Sequence, residues 1–102
     1  MSNEKLARVG KCADIPLNEG RRVLVNGEDI AVFNLGQTCR AIANHCPHKG
    51  GPLSDGIVTG DVVICPLHAR KIDLNTGEVR NEPEKVKVYN LIVDEGELFL
   101  KC

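Results

Sequence analysis

Two short boxes, Cys46-Pro47-His48 and Cys65-Pro66-Leu67-His68, stand sixteen residues apart and constrain this chain more than any other feature. Each box offers one thiolate and one imidazole. To act together they must sit on two loops that the fold sets side by side. Thiolate suits iron–sulfur clusters and zinc, and imidazole suits zinc and iron. A two-iron cluster with one iron held by two Cys and the other by two His needs this ligand set, and each loop then gives one ligand to each iron. The competing reading of Cys46, His48, Cys65 and His68 is a structural zinc module that binds a partner. Zinc sites usually pair like with like, as C-x₂₋₄-C and H-x₃₋₅-H. Mixed boxes, the first of them very tight, fit that habit poorly. His45 directly precedes Cys46 and reads as a loop or surface histidine, because neighbours in an extended loop point to opposite sides.

The surrounding residues sharpen the reading. The first box runs on as Lys49-Gly50-Gly51-Pro52-Leu53-Ser54-Asp55-Gly56, and the second leads to Ile72-Asp73-Leu74 and Thr76-Gly77. With these motifs the chain resembles the Rieske [2Fe–2S] family, first the small subunit of assimilatory NAD(P)H nitrite reductase. It is next similar to the ferredoxins that feed aromatic-ring dioxygenases. The resemblance implies an all-β fold, an antiparallel Rieske-type β-sandwich with a small cluster-binding subdomain at about residues 44–73. It implies a redox protein partner, either a nitrite reductase large subunit or a flavin reductase and an oxygenase. The cluster is coordinatively full and no catalytic nucleophile or base is legible, so the chain reads as an electron-transfer subunit or carrier. Arg70 stands where the nitrite reductase group commonly has an aromatic residue.

The resemblance also bears on potential. High-potential members carry an extra Cys in each box, joined by a disulfide, and a hydroxyl side chain just after the second His. Here those positions hold Gly51 and Leu67, then Ala69 and Arg70. Fewer hydrogen bonds to sulfur leave the reduced, more negative cluster less stabilised. The expectation is the low end of the Rieske range, which spans roughly −150 to +300 mV.

At 102 residues the chain is the size of one domain, read here as residues 1–102. Aromatics make up only 3 % and Trp is absent, so the core must be aliphatic. Thirteen basic against fourteen acidic residues give no clustered positive excess, which argues against nucleic acid as a partner. No apolar run approaches a membrane span, and residues 1–5 lack the apolar stretch of a signal peptide. Five Cys is an odd count. With two assigned to the cluster, Cys12, Cys39 and Cys102 remain: Cys39 reads as a small buried thiol, Cys102 as exposed, and Cys12 is left open; free thiols and a cofactor that needs reduced Cys fit a reducing cytosol.

Turn signals divide the rest into short strands at 5–9, 21–25, 30–35, 40–44, 57–58, 62–65, 85–89, 91–93 and 97–101. Asn26-Gly27, Gly36-Gln37, Thr59-Gly60-Asp61, Asn75-Thr76-Gly77 and Asp94-Glu95-Gly96 turn between them. No convincing helical stripe intervenes. Gly50 and Gly51 suit a close approach of backbone to sulfur, and Pro47, Pro52 and Pro66 stiffen the loops. Lys49, Arg70 and Lys71 read as solvated charges, or as a positive rim for a docking partner. His48 and His68 are expected at one exposed end, capped by Pro47, Pro52, Pro66 and Leu67.

Iron and acid-labile sulfide analysis of anaerobically prepared protein should give about two of each per chain, and His45→Ala should keep the visible spectrum. Stoichiometric zinc without sulfide overturns the cluster; a His45→Ala protein without the spectrum overturns the ligand assignment.

Overall fold

The computed structural model describes residues 6–36, 38–45, 52–66 and 69–101. Among the described residues, ten strands and two single 3₁₀ turns make up the regular structure. A four-stranded antiparallel sheet joins β2 (Gly20–Val25), β3 (Glu28–Asn34), β4 (Cys39–Ala43) and β8 (Val88–Tyr89) in that order. A second sheet has the order β1 (Leu6–Lys11), β10 (Glu97–Lys101), β9 (Leu91–Asp94). A third joins β5 (Ile57–Thr59), β6 (Val62–Ile64) and β7 (Lys71–Asp73).

The turns form where the sequence supplies residues that accept a left-handed backbone. Val25 pairs with Glu28 across Asn26 and Gly27, whose φ values of 51° and 80° make the two-residue turn that matches strand twist. Glu95 and Gly96 repeat this between β9 and β10, with φ of 52° and 81°.

Strand β3 explains how the layers stack. Its central residues Ile30, Ala31, Val32 and Phe33 are all buried. Side chains alternate across a strand, so both faces of the central sheet are covered. Ile30 and Val32 join Ile15, Cys39, Ala41, Leu98 and Leu100 in one core. Ala31 and Phe33 join Ile42, Leu53, Val58, Val63, Cys65 and Ile72 in another, which links the central sheet to the β5–β6–β7 sheet. Each fully buried Leu, Ile, Val or Phe contributes about 1.5–3 kcal/mol by transfer from water. The side chains are mainly aliphatic, as a chain almost without aromatics requires.

Three expectations are corrected. Cys39 is not a free thiol: it forms a disulfide with Cys12, whose role the sequence leaves open, with Cα atoms 6.5 Å apart. Cys12 lies in the 3₁₀ turn after β1 and Cys39 opens β4, so their nearness arises from strand order across 27 positions. An odd Cys count excludes complete pairing but not one pair. In the chain-entropy account a loop of that size contributes about 3–4 kcal/mol. Secondly, residues 85–89 form a strand only at Val88–Tyr89. The Val86 N–H bonds Gly77 and the Lys87 carbonyl bonds Ala43, so the segment is shared between two neighbours. Thirdly, Lys71–Asp73 is a strand, β7, which its motif-like sequence had concealed. Residues 1–5, Gln37 and Cys102 lie outside the described residues.

Gly27 and Gly77 separate two costs. Both have positive φ, but a Cβ at Gly27 meets nothing within 4 Å, whereas one at Gly77 falls 2.0 Å from the Val86 carbonyl oxygen. Gly27→Ala should cost about 1–2 kcal/mol from backbone conformation alone. Gly77→Ala should cost about 3 kcal/mol or more, since strain adds to a backbone clash. Denaturant midpoints compare them; equal costs contradict the packing.

Candidate metal centre

The first box springs from a closed stem. His45 forms an antiparallel β-bridge with Pro52, the two residues that flank positions 46–51 in the sequence. One residue further in, the Leu53 N–H donates to the Asn44 carbonyl (3.4 Å). The Asn44 amide is buried; its Nδ2 donates to Asp29 Oδ1 (3.1 Å) and its Oδ1 accepts the Ser54 N–H (2.7 Å). Leu53, fully buried, anchors the outgoing strand of the stem.

The second box begins directly after β6, and β7 follows it in the sequence. The Cys65 N–H donates to the Arg70 carbonyl (2.8 Å), and the Ala69 N–H donates to the Cys65 carbonyl (3.0 Å). Ala69 takes a left-handed φ of 55°, unusual for a residue with a Cβ, and so turns the chain back into β7. The Cys65 side chain is buried in the core shared with Val63 and Leu53.

The two stems touch. A Cβ added at Gly56, just past the first box, would lie 2.4 Å from the Ile64 carbonyl oxygen, immediately before Cys65. Only glycine permits this approach. A cleft of about 430 Å³ opens here, between Asp55, Gly56 and Ile57 on one side and Ile64, Cys65, Pro66 and Ala69 on the other. Ile57, Pro66 and Ala69 are exposed in it. A buried thiol at the end of β6, beside the stem that leads out of the first box, fits the donor set of an iron–sulfur cluster.

Of the four expected ligands, Cys65 stands at this junction, whereas Cys46, His48 and His68 lie outside the described residues, as do Pro47, Lys49, Gly50, Gly51 and Leu67. His45 has a side chain 60 % exposed and sits 3.5 Å from Asp29 Oδ2, in keeping with a surface histidine. Lys71 is exposed. Arg70 is neither solvated nor a free rim cation: its guanidinium is mostly covered and paired with Glu82. That partner is twelve residues away, and nothing local in the sequence announces it.

Asp29 was also missed by sequence reasoning. Its carboxylate accepts from Arg22 Nε at 2.8 Å and from Asn44. The Arg22 hydrogen bond holds the Asp29 carboxyl below the usual carboxylate range; partial burial opposes this, and Asn44 and His45 add to the lowering. Asp29 therefore remains ionised at neutral pH, a fixed negative charge beside the stem.

Residues 5–92 match the model of the Rieske [2Fe–2S] domain. The ferredoxin component of the naphthalene 1,2-dioxygenase/salicylate 5-hydroxylase systems of Ralstonia sp is 32 % identical over 90 residues, 86 % of each chain. A chain in the complex of reduced oxygenase and oxidised ferredoxin of carbazole 1,9a-dioxygenase is 30 % identical. The alignment covers 92 % of this chain and 99 % of that one, with a TM-score of 0.84. A structure described as an NADH-dependent nitrite reductase small subunit of Mycobacterium tuberculosis shares the fold, with a TM-score of 0.90 at 24 % identity over 99 % and 97 % of the two chains. The chain belongs to the Rieske [2Fe–2S] domain family and carries electrons through a Rieske-type two-iron cluster.

Proposed function

We propose that Cys46, His48, Cys65 and His68 hold the cluster, and that the protein delivers electrons as the small subunit of a nitrite reductase. The observation that carries the ligand assignment is the junction of the two stems. There the buried thiol of Cys65 lies beside the exit of the first box at Gly56. Residues 44–73 then work as the cluster-binding subdomain of a single domain, sharing one core with the central sheet.

The bound cluster supplies one-electron chemistry between an uncharged oxidised state and a singly negative reduced state. The protein's task is to tolerate both without rearranging. Stems closed by main-chain hydrogen bonds at Cys65 and Asn44 support that role. Ala69 brings no hydroxyl next to the second box, and this supports a potential at the low end, near about −150 mV, within reach of NAD(P)H-linked donors.

The partner reading rests on Lys49-Gly50-Gly51-Pro52-Leu53 and on Lys71-Ile72-Asp73-Leu74-Asn75-Thr76-Gly77, which resemble nitrite reductase small subunits. A second reading, a free ferredoxin between a flavin reductase and an oxygenase, is favoured by the 32 % identity to a dioxygenase ferredoxin component. In either case the carrier works in the cytoplasm, where such donors operate. Among the described residues no helix is long and apolar enough to cross a membrane.

Exposed Ile57 and Pro66 at the cleft suit a docking face for the redox partner. With Arg70 tied to Glu82, Lys49 and Lys71 are left to steer the encounter. Co-purification should recover a sirohaem-containing large subunit; recovery of an oxygenase favours the second reading. In stopped-flow transfer with the recovered partner, Ile57→Asp and Leu67→Asp should be slower than wild type with their cluster spectra intact. Salt should also slow wild type, since exposed charges are screened over about 8–10 Å. Transfer at the wild-type rate by both variants places docking elsewhere.

A further inference from the structure

Asn44 is the single buried polar residue among the described residues, 1 % exposed, and it lies two positions before Cys46. A buried amide is costly unless its groups are bonded. Here every bond it makes serves the stem of the first box. Its main-chain N–H donates to the Asp29 carbonyl (3.0 Å) and its carbonyl accepts from Leu53 (3.4 Å). Its side chain donates to Asp29 Oδ1 (3.1 Å) and accepts from Ser54 N–H (2.7 Å). The Ser54 donor fixes which side of the amide is oxygen. Asn44 thus ties the incoming strand of the loop to its outgoing strand, and both to β3.

We infer that Asn44 is a positioning residue for the cluster, setting where residues 46–51 present Cys46 and His48. This rests on the ligand assignment proposed above. The position demands one donor and one acceptor at once, which an amide provides and a carboxylate does not. Asp at 44 would keep the acceptor for Ser54 but set a carboxylate against Asp29, whose charge Arg22 already maintains. Ala would leave the Ser54 N–H and the Asp29 oxygen without this partner. Both substitutions loosen the stem without touching a ligand.

The test compares Asn44→Ala and Asn44→Asp with Val32→Ala. Val32 is equally buried but lies in the other core, with Leu98 and Leu100. At a temperature where circular dichroism shows all three folded, two quantities are read: the rate of iron release to a chelator and the electron paramagnetic resonance spectrum of the reduced protein. Groups that orient metal ligands typically change metal affinity about tenfold or more when removed. Asn44→Ala should therefore release iron about tenfold faster than wild type with an altered spectrum, and Asn44→Asp should fall between. Val32→Ala should match wild type in both despite its lower melting temperature. If Asn44→Ala does not fold, Asn44→Asp carries the same comparison. Wild-type release and spectrum in the folded Asn44 variants, or equal acceleration in Val32→Ala, overturn the inference. Failure of the ligand assignment shows separately, as a Cys65→Ser protein that keeps its cluster.

Discussion

Closure of two loop stems by main-chain hydrogen bonds is the constraint on which the metal end depends. Six residues lie between His45 and Pro52, which are themselves bridged. The second loop is shut between Cys65 and Arg70. An unfolded chain holds no preformed metal site, so ordering the donors costs free energy that metal binding must offset. Short loops with closed stems lower that cost. The contact of Gly56 on the Ile64 carbonyl then fixes one stem against the other.

The remainder of the fold keeps those stems still. The central sheet is apolar on both faces, so β3 cannot slip by one residue without exchanging two buried rows. Through Ala31, Phe33 and Ile42 that sheet grips the β5–β6–β7 sheet on which the second box is mounted. The Cys12–Cys39 disulfide fastens the turn after β1 to the start of β4, the strand that leads into the first box. Mechanical continuity thus runs from the far sheet to the metal end through covalent and aliphatic contacts.

Much of this was legible in the sequence because the signals were local. Asn26-Gly27 and Glu95-Gly96 impose turns from their own backbone preferences, and the two boxes declare their chemistry by residue type. What escaped was set by distant partners. Cys12 met Cys39 only through strand order. Arg70 read as a surface charge until Glu82 was found beside it. Asp29 and Asn44 carry no local signal, and their mutual bond becomes visible only once β3 and β4 are paired. β7 was hidden because Lys71-Ile72-Asp73 carries a single β-branched residue between two charges, where the equally short β5 and β6 are rich in Ile and Val.

The central claim is that one cysteine and one histidine from each box share a two-iron cluster. Pulsed electron paramagnetic resonance on reduced protein with ¹⁵N-labelled histidine tests this most directly. The account predicts strong coupling to two histidine nitrogens on one iron, the Rieske arrangement, with one coupling lost when His48 or His68 is replaced. A reduced cluster with no histidine coupling, or one whose couplings survive both replacements, would contradict it.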